Sequence, residues 1–330
     1  MTLPSPGQHV WSEIAAAAAS RFTRADPLRL GGRGSAMSMA QLADVEKQLK
    51  RTVPGLFVRI VPIKVAADTS TDRPAVEGKA VYTDGIDQAL AAGDIHAAVH
   101  CEKDLDGEPT GDFVTGCRLI RGNVRDAVVS RDMLKLNDLP AGAVIGTSAP
   151  RRAAQIRAGW PHLQVQPVKG NVDGRIARLR EPGSGLDALI VSWEGLCRLR
   201  MWSVPSDVLD VEQMAPAVGS AVVTVQALAE DQLVRAVLAA LNHAPTDAAT
   251  RAERAMLSAL NGNCASPISG HCVQTRDGQE LSLTGKVFAP DGSTTLAAAS
   301  IGIDPQRLGT DVAEQLMKQG AEQVITATTP

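Results

Sequence analysis

The stretch AGAVIGTSAPRRAAQIRAGWPHLQVQPVKGNVDGRIARLREPGSGLDALIVSWEGLCR, residues 141–198, decides the fold. Its short apolar runs, AGAVIGTS, LQVQPVKG and LDALIVSW, read as strands. Between them, APRRAAQIRAG and NVDGRIARLRE carry helical spacing, the first with Pro150 in its opening turn. Strand and helix alternating in this way specify a parallel sheet covered by helices. DAVVS, beginning at Asp126, adds one more strand ahead of the stretch.

The same alternation precedes it in the chain. LRLGG from Leu28 reads as a strand stopping at its glycines, and RGSAMSMAQLADVEKQLKR as a helix with Met37, Ala40 and Leu42 on its apolar face. FVRIVPIK (57–64) is β-rich, DGIDQALAAG is a helix stopped by Gly93, and DIHAAVH is a strand. After residue 221, the segment from Val222 to Leu241 becomes helical in its later part and returns the chain to the first unit. The end of the chain has another character: a strong helix, TDAATRAERAMLSALNG, closing at Gly262, then short alternating strands, then a helix over about 310–319. The expected organisation is an N-terminal extension (1–26), an α/β domain from 27–120 with 222–241, a second α/β domain (121–221), and a small α+β domain (242–330).

Composition narrows the function. A net charge of −3 and only one Tyr, four Phe and four Trp argue against a nucleic-acid partner. The five cysteines, Cys101, Cys117, Cys197, Cys264 and Cys272, are odd in number and form no CxxC pair, which points away from disulfides or zinc and toward a reducing, cytoplasmic setting. The Ala15–Ala19 run is short, follows Glu13 and lacks a basic leader, so it reads as a helical extension rather than a signal peptide. No stretch approaches the roughly 18 apolar residues of a membrane span.

Two α/β lobes bind ligands at strand C-terminal ends and helix N-termini. GTSAPRR there offers Thr147, Ser148, Arg151 and Arg152; taken alone it fits a capped helix with two solvated arginines as well as it fits an anion site. KGNVDGR adds Lys169 and Arg175, GLCR adds Arg198, and RGS adds Arg33 and Ser35. Basic groups placed repeatedly just after strands suggest a cleft for a substrate rich in carboxylates. Asp104 follows the DIHAAVH strand, where a carboxylate would stabilise positive charge developing on a substrate. A metal site at His96 and His100 lacks a clear third ligand. Cys264, on the loop LNGNCASPISG, is the cysteine that chemistry can reach, whereas Cys117 and Cys197 look like apolar fillers.

RGS, HCEKD, GTSAPRR, KGNVDGR, EGLCR and NGNCASPISG, with VRDA and RAERA between them, occur in the order in which the porphobilinogen deaminase family carries its motifs, and from Leu28 onward the chain resembles that family. The resemblance implies two lobes like the type II periplasmic binding proteins and a C-terminal domain bearing a dipyrromethane on Cys264. It implies that porphobilinogen is the substrate, with a monomer as the working form and no nucleic acid, membrane or metal involved. Asp104 would be the catalytic carboxylate, with Lys103 beside it. Arg33, Ser35, Lys79, Asp104, Thr147, Ser148, Arg151, Arg152 and Lys169 would hold the cofactor, and Arg33, Tyr82, Arg175 and Arg198 the substrate. The chain departs from the family pattern at Cys101, Glu102, Lys169, Ser220, Ala221 and Asn263. Those departures motivate a second reading, a diverged relative with a shorter or altered product. A third is a non-catalytic anion-binding protein.

Overall fold

The computed structural model describes residues 8–65, 83–105 and 111–326. The chain falls into two compact units, residues 1–121 with 222–247, and residues 122–221 with 248–330.

The first unit is built on a five-stranded sheet of order β2-β1-β3-β10-β4. Its strands are β1 (Leu28–Arg33), β2 (Val58–Ile63), β3 (Ala97–Cys101), β4 (Phe113–Arg118) and β10 (Val223–Leu228). β1 pairs in parallel with β2 and β3, and β10 runs antiparallel to both β3 and β4. β1 does not stop at its glycines but runs through them to Arg33. It is a central strand, and a Cβ at Gly32 would come within 3.1 Å of Leu42, so glycine lets the covering helix Ala36–Thr52 pack closely. That helix buries Leu42, Val45 and Leu49 against the sheet. Gly93, at φ 72°, ends the helix Asp84–Ala91 as expected. The extension is a helix, Gln8–Arg21, that buries Ala18 in the same core. Arg21 makes two 2.8 Å bonds to Asp231, the N-cap of the helix Gln232–Ala239.

The second unit repeats the plan. Its larger sheet has the order β7-β6-β8-β5-β9, from β5 (Asp126–Ser130), β6 (Val144–Gly146), β7 (Gln164–Gln166), β8 (Ala188–Ser192) and β9 (Asp207–Val208). β6 is parallel to β7 and β8, while β5 is antiparallel to β8 and β9. Both sheets therefore have three parallel strands, then one reversed strand, then an outer one. The reversed strands, β5 and β10, each follow a passage of the chain from one unit to the other. The same unit holds the C-terminal sheet, β11 (Ile268–Gln274), β12 (Leu281–Phe288) and β13 (Thr295–Gly302), antiparallel throughout and backed by the helices Ala244–Ala259 and Pro305–Lys318. The protein is thus α/β, with two sheet-containing lobes and a small C-terminal sheet domain.

The helix expected over about 310–319 begins at Pro305, capped by Asp304, five residues earlier than the sequence pattern suggests, and a further short helix, Ala321–Thr326, follows it. Pro in the first turn with an Asp cap is an ordinary helix start. β4 and β9 carry no clear alternation of their own and are defined by pairing with β10 and β5. After the helix Ala244–Ala259, the left-handed residue is Asn261, at φ 51°, rather than Gly262. Among the described residues, no helix is long and apolar enough to cross a membrane.

Candidate active site

In the first unit, the ends of β1 and β3 carry the candidate residues. Ser35 caps the helix Ala36–Thr52, its hydroxyl accepting from Ser38 N at 3.4 Å, and Arg33 closes β1 just before it. β3 passes into a single 3₁₀ turn, Glu102–Asp104, closed by Leu105 N donating to Glu102 O at 3.1 Å. Lys103 and Asp104 are half-buried, between the buried Glu102 and Leu105. Lys79 and Tyr82 lie outside the described residues.

Glu102, one of the departures from the family pattern, adds no open negative charge beside Asp104. It is fully buried and receives Arg118 Nε at 3.0 Å and Nη2 at 3.3 Å, together with the Thr224 hydroxyl. Arg118 also donates to Asp247 at 2.8 Å. The neighbouring histidines are held neutral. Burial brings His100 down to about 4, and burial, followed by the charge of Arg29, does the same to His96. His96 Nδ1 accepts from Arg29 N at 2.9 Å. No group of three metal-ligating side chains occurs among the described residues.

In the second unit, β6 delivers Thr147, buried, and Ser148, exposed, to the start of the helix Pro150–Gly159. The cap residue is Ala149, which makes no side-chain cap; Thr147 Oγ1 instead accepts from Ala149 N at 3.2 Å. Arg151 and Arg152 are not solvated. Both are buried around Asp126, the acid of VRDA: Arg152 donates to its two oxygens at 2.9 and 2.6 Å and Arg151 at 2.8 Å. Burial alone would raise the Asp126 carboxyl, but the charges of Arg152 and Arg151 outweigh it and hold the group well below the usual range. Arg151 reaches Ala215 O as well, and Arg152 donates to Ile190 O at 3.2 Å.

Beyond β7, Lys169 is exposed and precedes Gly170, whose φ of 103° is open to glycine. Arg175, in the helix Val172–Arg180, folds back so that its Nε donates to Gly170 O at 2.7 Å. Arg198 pairs with Glu194 one turn earlier at 3.0 Å, and Glu194 also accepts from Asn123 N at 3.1 Å.

Cys264 is the exposed cysteine; Cys117 and Cys272 are buried, and Cys101 and Cys197 intermediate. Burial pushes the Cys117 thiol up to about 12, and burial followed by Glu194 raises Cys197. Asn263, another departure, braces the loop on either side of Cys264. Its side-chain oxygen accepts from Ala265 N at 2.8 Å, and its own N–H donates to Ser266 Oγ at 3.0 Å. An accessible thiol on a loop held on both sides fits a covalent tether. Behind the C-terminal sheet, Glu253 of RAERA is fully buried and accepts from Gly219 N at 2.8 Å and Cys272 N at 2.7 Å.

Residues 28–236 match the family model "Porphobilinogen deaminase, dipyromethane cofactor binding domain", and residues 248–318 match "Porphobilinogen deaminase, C-terminal domain". The chain belongs to the porphobilinogen deaminase family. Porphobilinogen deaminase 2 of Streptomyces coelicolor is 38% identical over 311 residues, 92% of this chain and 98% of its own. The porphobilinogen deaminase of Nocardia farcinica is 39% identical over 309 residues, 91% of this chain and 88% of its own. That of Paracoccus denitrificans is 38% identical over 298 residues, 88% and 94% respectively. Among solved structures, the methionine-binding protein MetQ aligns with 65% of this chain and 89% of its own, at TM-score 0.41 and 13% identity.

The charged partners of the candidate residues were hidden in the sequence. Asp126 and Glu253 lie inside the motifs VRDA and RAERA, but nothing local says that Asp126 seats two arginines. Glu102, Arg118 and Asp247 meet only through the folded sheet.

Proposed function

We infer that this chain is a transferase that joins four porphobilinogen molecules head to tail, giving the linear tetrapyrrole hydroxymethylbilane. The observation that carries this reading is the exposed thiol of Cys264 on its braced loop, in a chain that matches both domains of the family. A dipyrromethane on Cys264 supplies the nucleophilic pyrrole end to which new units are joined. The chain's own residues bind and stabilise. Asp104 accepts the pyrrole N–H of the substrate and offsets the positive charge that grows as the aminomethyl C–N bond breaks and ammonia leaves. It would serve again as the new C–C bond forms, offsetting the positive charge on the nucleophilic ring until that ring gives up its α-proton. Water takes the final position when the tetrapyrrole is released.

Arg33, Arg175, Arg198 and Tyr82 would hold the acetate and propionate groups of the substrate. Lys103 would act beside Asp104, while Ser35, Lys79, Thr147, Ser148 and Lys169, with Arg33, would hold the acetate and propionate groups of the cofactor. Arg151 and Arg152 join this set as charges already fixed by Asp126, so they need no reorganisation on binding. The same reading gives a cytoplasmic monomer with no nucleic-acid or membrane partner, and takes residues 242–330 as a third domain. Size-exclusion with light scattering and limited proteolysis test those points.

The intact mass of the purified chain decides the tether: a dipyrromethane adduct is expected, and Cys264→Ser should abolish it. Incubation with porphobilinogen should release ammonia and give the tetrapyrrole, and Asp104→Ala should keep the adduct yet stop turnover. A bare thiol with no ammonia release would favour the anion-binding protein. A product shorter than four units would favour the diverged relative.

A further inference from the structure

The 3₁₀ turn Glu102–Asp104 carries the acid on which the proposed reaction depends, and intrinsically it is weak. It has three residues and one closing bond, Leu105 N to Glu102 O at 3.1 Å. Short turns of this kind do not hold a conformation without help from outside. Help comes at both ends. Leu105 is buried after the turn, and before it Glu102 N donates to Val222 O at 3.0 Å. Glu102 then adds its carboxylate, fully buried, to Arg118 through Nε and Nη2 and to the Thr224 hydroxyl. Two guanidinium bonds to one carboxylate fix its rotation as well as its place.

Arg118 is itself immobilised. Its Nη1 donates to Asp247 at 2.8 Å, and its backbone N–H donates to Asn242 Oδ1 at 2.8 Å. Three strands therefore converge on one buried carboxylate: it stands in the turn directly after β3, β4 supplies Arg118 and β10 supplies Thr224. A buried ion pair adds little to net stability, because desolvation offsets most of the attraction. What such a pair does supply is a single geometry.

We propose that Glu102 is a positioning residue for the reaction: its buried bonds to Arg118 and Thr224 fix the turn that presents Lys103 and Asp104. This rests on the role given to Asp104 above. Glu102 touches no substrate and acts through the backbone of the turn. Because the reacting group is only two residues away, a displacement of about 1 Å there is enough to cost as much as a hundredfold in rate.

The test uses the full-length protein carrying its cofactor, with Glu102→Gln and Thr224→Val compared with the parent. Thr224→Val keeps the shape of a fully buried side chain and removes one bond to Glu102, so it remains informative if Glu102→Gln folds poorly. Per folded molecule, kcat for ammonia release is expected to fall about tenfold or more in Glu102→Gln and severalfold in Thr224→Val, with KM changed less than about threefold. Amide hydrogen exchange of the parent and both variants supplies a readout independent of turnover. Exchange at Asp104 and Leu105 should quicken about tenfold while the β10 amides stay protected. Unchanged kcat per folded molecule in both variants, or unchanged exchange at the turn, overturns the proposal. A parent protein without turnover would instead reject the catalytic reading, and the exchange comparison would still decide whether Glu102 holds the turn.

Discussion

The cluster at Asp126 is where a single atom change has its largest expected effect. Asp126→Asn removes one negative charge and replaces an acceptor oxygen with an N–H₂ facing two buried guanidiniums. Arg151 and Arg152 are 5% and 8% exposed, so water does not compensate for the loss. Breaking a buried ion pair by removing one partner costs about 3–5 kcal/mol, and here two cations share the partner. With a urea dependence of about 2 kcal/mol per molar, the unfolding midpoint of the second unit should fall by about 2 M. Tryptophan fluorescence follows it, because Trp160, Trp193 and Trp202 belong to this unit and Trp160 directly follows the helix bearing both arginines. pH gives a second check. The folded carboxyl sits below its unfolded value near 3.9, so its contribution is complete above that value and is lost as pH falls through the folded one. The gap between parent and variant should be constant from pH 7 to about 5 and shrink below about 4. A midpoint change worth less than about 1 kcal/mol, or a gap that widens in acid, would refute the view that Asp126 seats the helix.

Ala221, one of the departures from the family pattern, has a left-handed φ of 63°. Ala221→Gly should remove a steric cost of about 1–2 kcal/mol and add back about 0.5–1 in chain entropy, for a net gain of up to about 1.5 kcal/mol in urea unfolding. His100, held at about 4 by burial, binds its proton in the unfolded chain from about pH 6.5 downward. With His96 held equally low in the same unit, the first unit should lose stability between about pH 6.5 and 4, and His100→Gln should reduce that slope by about half in urea midpoints taken across the range. Lys169→Arg offers the carboxylates of the cofactor a two-pronged guanidinium just beyond β7, and should leave the KM for porphobilinogen within about twofold while the fraction of chain carrying the adduct, read by intact mass, holds or rises; a fall in that fraction would argue against carboxylate binding there.

The α/β architecture was legible in the sequence because it is written locally. Apolar spacing, a Pro at a helix start and Gly93 at a helix end each act over a few residues, and they mark where β1, β3, β6 and β8 hand over to their turns and helices. The reachable cysteine was legible for the same reason, since Asn263, Cys264 and Ser266 belong to one short loop. β4 and β9 were not, because neither forms an apolar pattern of its own; each is a strand only by virtue of the reversed strand beside it. The charges behaved likewise. The sequence shows Arg151 and Arg152 at a strand end and Glu102 beside Asp104, but not which of these charges face an opposite charge. Glu102 is separated from Thr224 by 122 positions, and Arg118 from Asp247 by 129. Partners that far apart are chosen by sheet order and register, in particular by the late return of β10 between β3 and β4. Local periodicity thus determined the elements and the candidate positions, and only the tertiary pairing, which sheet order and register set across more than a hundred positions, decided which charges are bound to one another.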